Sequence, residues 1–324
     1  MNNQRKKILV GGGGGYIGSS LVPVLMKLGY DVTVIDLFWF GNFLPLETKI
    51  VKKDLFDCTE KDFEGFDTFI YLAGISNDPM AEFSPKINFV HNGASPAYLA
   101  YLAKKAGVKR YIYASSCSVY GHAYDHLYTE DARPVCDYPY GISKLQGEHG
   151  VCQLMDDKFS TIALRQGTIC GYSPKTRMDL IVNTMYRNGV QYGKITVNNP
   201  NIWRPVYDIR DAINAYLLAI EASSEISGVF NVASGNYTVG EVGQVVKDEL
   251  SKLLNKDIEL EVNNIPDFRN YRVSMDLAKK VLGFEPKYDI RDTVKYLHEN
   301  LSHLDNFDDD RYYNIKMFKK LNLN

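Results

Sequence analysis

KILVGGGGGYIGSSLVPVLMKLGYDVTVID, residues 7–36, is the stretch from which the rest of the chain can be read. Lys7–Val10 is a short apolar run suited to a buried strand, and Gly11–Gly15 follows as a turn. Ile17–Leu28 carries apolar residues at helical spacing, and Asp31–Asp36 (DVTVID) alternates as a second strand. A helix between two strands implies a crossover connection, so the stretch predicts a parallel strand–helix–strand unit.

The alternation continues downstream. Thr68–Ala73 (TFIYLA), Arg110–Ser115 (RYIYAS) and Ser160–Leu164 are strand-like, and Ala94–Ala106 and Tyr138–Met155 between them are helix-like. Repetition on this scale predicts an α/β fold with a doubly wound parallel sheet. After Arg165 the loops lengthen. Thr238–Leu254, Asp276–Leu282 and Asp289–His303 then read as amphipathic helices around a strand-like Ile258–Val262, which predicts a smaller C-terminal α/β lobe. Val206–Ser234 has the pattern of a helix and strand rejoining the main sheet. The expected division is residues 1–168 with 205–235 for the larger domain, 169–204 with 236–304 for the smaller lobe, and 305–324 for a tail. That tail, with its acidic DDD and Lys-rich end, reads as a solvated or partly ordered extension without a function of its own.

Composition narrows the class. In 324 residues, Lys+Arg 37 nearly balances Asp+Glu 39, leaving a formal charge of -2 and no global field for nucleic acid or an anionic membrane. Cys58, Cys117, Cys136, Cys152 and Cys170 are odd in number and never in a CxxC pair, which disfavours a disulfide framework or a zinc site, so no metal is expected. Met1–Lys7 is polar and lacks the apolar stretch of a signal peptide, and no run reaches membrane-spanning length. A cytoplasmic protein is expected.

Gly12, Gly15 and Gly18 stand in GxxGxxG spacing between strand and helix, where missing side chains let the backbone approach a pyrophosphate and the helix N-terminus offers free N–H groups. Asp36, closing the next strand, is placed for the adenosine ribose hydroxyls, and its charge opposes a 2′-phosphate, so NAD is favoured over NADP. Asp54 and Leu55, after another short strand-like stretch, are expected at the edge of the adenine pocket. Tyr140 and Lys144 lie four apart behind Pro139, on one helical face. A neighbouring ammonium stabilises phenolate, and Lys144 is also placed to hold the nicotinamide ribose. Ser115, Ser116, Cys117 and Ser118 end the preceding strand at the edge where an open parallel sheet puts its ligand.

With these pieces, the chain resembles the extended short-chain dehydrogenase/reductase family, in particular its nucleotide-sugar epimerases and dehydratases. GGGGGYIGSSLV (Gly11–Val22), YLAG (Tyr71–Gly74), SSCSVYG (Ser115–Gly121), YGISK (Tyr140–Lys144) and RPVYDIRD (Arg204–Asp211) occur in the family's order. The resemblance implies a Rossmann sheet, Tyr140 as catalytic base, Lys144 as its partner and Ser116 as the substrate-facing hydroxyl. It also implies cofactor contacts from Tyr16, Ile17, Leu72, Ala73 and Asn92, and a substrate pocket with Ser118, Asn183, Arg204 and Arg269. Two departures stand out: Cys117 and Ser118 replace the Asp-Glu of dehydratases, which disfavours 4,6-dehydration, and Asp208 falls where relatives carry His in R-x-x-x-H.

The expected activity is therefore NAD-dependent epimerisation of a nucleotide-diphosphate sugar, at C4, through a transient keto-sugar. A nucleotide-sugar 4-dehydrogenase or 4-ketoreductase would use the same residues. A non-catalytic NAD sensor would keep the glycine loop without needing the Tyr140–Lys144 pair. The apolar run Ala97–Ala103 (AYLAYLA), by analogy with relatives, implies a homodimer.

Overall fold

The computed structural model describes residues 5–121, 126–264, 270–304 and 306–323. Among these, β1 (Lys7–Gly11), β2 (Asp31–Asp36), β3 (Lys49–Lys52), β4 (Thr68–Tyr71), β5 (Arg110–Ser116), β6 (Ser160–Gln166) and β7 (Gly228–Val232) form one sheet. Its order is β7-β6-β5-β4-β1-β2-β3, and every pairing is parallel. The doubly wound expectation is met. The order reverses between β1 and β4, and a crevice opens there at the carboxyl ends of the strands.

The strand pattern explains the layering. Along β1, Ile8 and Val10 point to one face and Leu9 to the other. The first face packs Val34, Ile112 and Ile162 against Leu21 and Leu25 of α1 (Gly18–Lys27), while the second packs Phe69, Tyr111 and Tyr113 beneath other helices. β5 and β6 are buried along their whole length, as central parallel strands covered on both faces must be. The edge strand β3 (KIVK) is exposed, with a lysine at each end discouraging edge-to-edge association.

The helices after α1 include α2 (Asp78–Phe83), α3 (Ser95–Lys105), α4 (Pro139–Cys152) and α5 (Ile209–Glu221), of which α2 and α4 contribute residues to the site. Strands Thr168–Cys170, Trp203–Asp208 and Gly235–Thr238 form a second sheet beyond β6. Helices Ile181–Tyr192, Val239–Leu254 and Ile290–Leu301 share a separate apolar core with the parallel pair Lys194–Asn198 and Glu259–Asn263. The sequence reading did not find Ile181–Tyr192. Its buried Val182, Met185, Tyr186 and Gly189 keep helical spacing, but the intervening Asn and Gly dilute the apolar signal. No helix among the described residues is long and apolar enough to cross a membrane.

The C-terminal expectation needs correction. Residues 306–323 are docked: Phe307 and Phe318 are only 1% and 3% exposed, and the last turns form a helix, Asn314–Lys320. Phe318 meets Trp39 edge-on at 5.2 Å between centroids, Met178 N donates to Tyr312 O (2.9 Å), and Arg187 Nη1 donates to the Tyr313 hydroxyl (2.8 Å). The acidic and lysine-rich character of the segment is real, but Phe307, Met317 and Phe318 turn inward.

One buried ion pair ties α4 to the sheet. Arg165 of β6 and Glu148 of α4 pair in bidentate fashion, Nη2 to Oε1 at 2.6 Å and Nε to Oε2 at 3.0 Å, with side chains 4% and 1% exposed. Ser115 of β5 donates to the same carboxylate (2.6 Å), and Arg165 Nη1 donates to the Tyr120 hydroxyl (2.8 Å). Removing one partner strands the other charge in the core. Glu148→Leu is expected to lower the unfolding free energy by about 3–5 kcal/mol, and the double change with Arg165→Met to restore most of it. Urea denaturation measures both; a single-variant loss under about 1 kcal/mol contradicts the assignment.

Candidate active site

A cavity of ≈ 610 Å³ lies in the crevice, walled by the glycine loop, the segment after β4, the ends of β5 and β6, α4 and the second lobe. The glycines make it possible. Gly12 has φ 79, and a Cβ there would stand 2.5 Å from Ala73 N; a Cβ on Gly18 would stand 2.3 Å from Gly13 O. These two glycines therefore permit backbone to pack on backbone, whereas a Cβ on Gly15 would meet only Gly12 O, at 3.3 Å, beside the open cavity. Tyr16, Ile17 and Gly18, at the start of α1, and Leu72 and Ala73, just after β4, all line it. Such a bare helix N-terminus with room in front fits a dinucleotide pyrophosphate.

Asp36 stands at the end of β2, where Oδ2 accepts from Gly14 N (2.9 Å) and Oδ1 from Phe38 N (2.6 Å). Burial raises its pKa, against the pull of those backbone donors. With backbone donors from Gly14, Leu37 and Phe38 upon it, the carboxylate keeps acceptor capacity for a ribose hydroxyl, although Asp36 stands outside the lining of the cavity itself.

α4 supplies the proposed chemistry. Pro139 opens the helix at a position where its missing N–H costs nothing, and Tyr140, Lys144 and Glu148 then follow at four-residue intervals. Glu148 anchors the inner end in the core, so Lys144 and Tyr140 are set successively nearer the cavity. Lys144 Nζ donates to Ala114 O (2.9 Å) and lies 5.2 Å from the Tyr113 ring centroid; burial lowers its pKa to about 7. Tyr140 and Ser116 both line the cavity, where the Ser116 hydroxyl acts on the phenol. Burial pushes the phenol up, the Ser116 hydroxyl and the Arg177 guanidinium pull it down, and the Asp78 carboxylate opposes them. The Arg177 guanidinium is a cation acting on Tyr140 that the Tyr140–Lys144 spacing did not anticipate.

Other expected residues divide sharply. Ser118 and Arg204 line the cavity, with Ser118 Oγ 3.4 Å from the Tyr271 hydroxyl and the Arg204 guanidinium 5.8 Å from that ring's centroid. Asn183 does not reach it: its side chain accepts from Gly171 N (2.9 Å) and donates to Gly171 O (3.0 Å) and Arg177 O (2.8 Å), so it shapes a loop from behind. Asn92 is also fully buried and outside the cavity wall, donating to Ile75 O and Asn88 Oδ1 (both 2.9 Å) from a widened helical turn. A Cβ on Gly74 would lie 2.0 Å from Asn92 Oδ1, so this asparagine braces the loop after β4. Asp54 caps the short helix Leu55–Asp57 by accepting from Phe56 N (2.9 Å), and Leu55 is packed in the core with Phe69; neither lines the cavity. Arg269 lies outside the described residues. Asp208 caps α5 and receives Arg210 and Thr293, so it too is structural.

Residues that the sequence reading missed are gathered on the far wall. Lys175, Arg177 and Asp179 come from the loop GYSPKTRMDL, and Asp78 from the start of α2. Arg177 pairs with Asp179 (Nη2–Oδ2 2.8 Å, Nε–Oδ1 2.9 Å) and donates to Ser76 Oγ (2.7 Å). The available signal was two basic residues and an acid within five positions between a strand and a helix, too common a pattern to mark a site alone.

Residues 8–233 match the NAD dependent epimerase/dehydratase family. A putative UDP-glucose 4-epimerase of Methanocaldococcus jannaschii is 27% identical, with 89% of this chain and 96% of the relative covered. UDP-glucuronic acid decarboxylase 6 of Arabidopsis thaliana is also 27% identical, with 91% and 88% covered. Among solved structures, MoeE5 in complex with UDP-glucose and NAD superposes with a TM-score of 0.79 at 25% identity, over 90% of this chain and 97% of that one. With the glycine cradle and the Tyr140–Lys144 helix on one cavity, the match over most of the chain is decisive: the protein belongs to the NAD dependent epimerase/dehydratase family of extended short-chain dehydrogenase/reductases.

Proposed function

We propose that the protein is an NAD-dependent epimerase of a nucleotide-diphosphate sugar, acting at C4. The observation that carries this reading is that Tyr140, Ser116 and Lys144 line the same cavity as the glycine loop. NAD, the family's cofactor, supplies a reversible hydride acceptor. Tyr140 takes the proton of the C4 hydroxyl as the carbon is oxidised, while Ser116 hydrogen-bonds the same oxygen. Lys144, whose Nζ bonds Ala114 O, would hold the nicotinamide ribose. The keto-sugar turns within the cavity, and Tyr140 returns the proton when hydride adds to the opposite face. Ser118 and Arg204 bind the substrate from the facing wall.

The dehydratase carboxylates remain replaced in three dimensions: Cys117 is buried and donates to Arg165 O, and Ser118 meets Tyr271. This favours return of hydride over elimination at those positions. The protein acts in the cytoplasm as a homodimer. Four residues of the AYLAYLA run, Leu99, Ala100, Leu102 and Ala103, are spent on the core, so the pairing face of α3 is the one carrying Tyr98 (41% exposed) and Tyr101 (50% exposed). Light scattering at micromolar concentration should give twice the chain mass; a monomer contradicts the dimer.

Tyr140→Phe should fold and bind NAD but lose roughly two to four orders of magnitude in turnover, with Ser116→Ala losing less. Near wild-type turnover of the phenylalanine variant in a chemistry-limited assay overturns the mechanism. The wild-type enzyme should convert many equivalents of sugar without added cofactor and without accumulating NADH; stalling after one turnover identifies a 4-dehydrogenase instead.

NAD should bind more tightly than NADP, because the Asp36 carboxylate faces any 2′-phosphate, and Asp36→Ala should narrow the difference. Titration of both cofactors against both proteins checks this, and tighter NADP binding by the wild type sinks it.

A further inference from the structure

The C-terminal segment bridges both halves of the molecule across the mouth of the cavity. Tyr312 and Tyr313 are bonded to Met178 and Arg187 of the second lobe. Phe318, Ile315 and Leu323 pack with Trp39, Phe40, Met80 and the ring of Tyr140. Between these anchorages, Asn314 lines the cavity, where its Oδ1 accepts from Lys175 Nζ (2.6 Å) and its Nδ2 donates to Ser76 Oγ (3.2 Å).

Lys175 is only 2% exposed, yet it also lines the cavity. Its ammonium rests 3.9 Å from the Phe40 ring centroid and, among the described residues, pairs with no carboxylate. Asp179 is nearby but committed in bidentate fashion to Arg177. The wall holds two cations and two carboxylates, Asp179 and Asp78, but neither carboxylate pairs with Lys175. Burial and the neighbouring Arg177 hold the Lys175 ammonium well below its ordinary pKa range, with Asp179 only partly offsetting them. A buried charge held by an amide and a ring is under-compensated, and an anionic ligand group is the partner that would complete it. Position agrees with charge: Lys175 N donates to Ser19 Oγ (3.1 Å), which sets the residue against the first turn of α1, where the helix dipole also favours an anion.

We propose that the C-terminal segment is a working wall of the active site, in which Asn314 positions the Lys175 ammonium at the cavity surface as the receptor for an anionic group, phosphate or carboxylate, of a bound ligand. The inference rests on the nucleotide-sugar reading for its substrate arms and on the family's NAD for its cofactor arm. Lys175 is the contacting residue; Asn314 acts through it. Phe318 supports the arrangement from behind, stacked on Phe40 at 6.4 Å between centroids.

Calorimetric titration with NAD, UDP-glucose and UDP-glucuronate, on wild type and on Lys175→Met, Lys175→Arg, Asn314→Leu and Asn314→Gln, tests it. Lys175→Met and Asn314→Leu should weaken at least one ligand by roughly tenfold, the scale of one charge-assisted contact, while Lys175→Arg and Asn314→Gln keep most of the affinity. A loss confined to NAD assigns the anion to the cofactor diphosphate. Equal losses for the two sugar nucleotides assign it to theirs, and a loss for UDP-glucuronate alone assigns it to a sugar carboxylate. Ligand-free Lys175→Met should also melt higher than wild type, because an uncompensated buried charge is gone; a lysine serving only the scaffold would melt lower when removed. Unchanged affinities for all three ligands overturn the inference even if turnover behaves as proposed. A wild type that binds NAD but neither sugar nucleotide overturns the substrate reading, and the NAD arm alone then decides for or against the Lys175 receptor.

Discussion

The buried pairing of Glu148 with Arg165 is the constraint on which the site depends. A charged pair in the core is a poor source of net stability, since desolvation consumes most of the attraction. Its value lies in direction. A bidentate guanidinium–carboxylate contact, with Ser115 on the same carboxylate, admits one rotation and one height of α4 against β5 and β6. Lys144 and Tyr140 sit one and two turns along the same face, so the placing of the Tyr140 hydroxyl is fixed from the buried end of the helix rather than from the cavity.

The cofactor side is fixed differently, by absent atoms. Gly12 and Gly18 let backbone segments approach to distances that no Cβ tolerates, and Gly74 makes room for the Asn92 amide behind the loop after β4. The asparagine then fastens that loop through Ile75 O. A nearly rigid floor results, made of main chain, against which variable side chains from the second lobe and the C-terminal segment build the specific part of the cavity.

Electrostatics gives this cavity two ends. Tyr140 lies between a carboxylate, Asp78, and a guanidinium, Arg177, whose effects on the phenol oppose one another. Lys144, desolvated and free of any carboxylate cause in its titration, is poised to be re-solvated by ligand hydroxyls. Desolvation is the largest influence on the phenol and raises its pKa, with the Ser116 hydroxyl and Arg177 acting against it.

The sequence by itself determined what is local. Alternation and helical spacing gave Asp31–Asp36 and Asp276–Leu282 with the ends that the structure gives them, because side-chain period and burial are set by neighbouring residues. Gly12, Gly15, Gly18, Tyr140, Lys144 and Ser116 were legible because their motifs are contiguous and tied to element boundaries. What only tertiary structure decided is which way side chains on irregular segments face. Asn92, Asn183, Asp54 and Leu55 turned to brace the scaffold, whereas Lys175 and Arg177 turned into the cavity. The C-terminal segment, polar by composition, docked through Phe307 and Phe318 on residues far away in sequence; the Ser76–Asn314 contact, 238 residues apart, illustrates the reach. Loops have no period from which an inward face can be read; their side chains point where the backbone hydrogen bonds of distant partners leave them room.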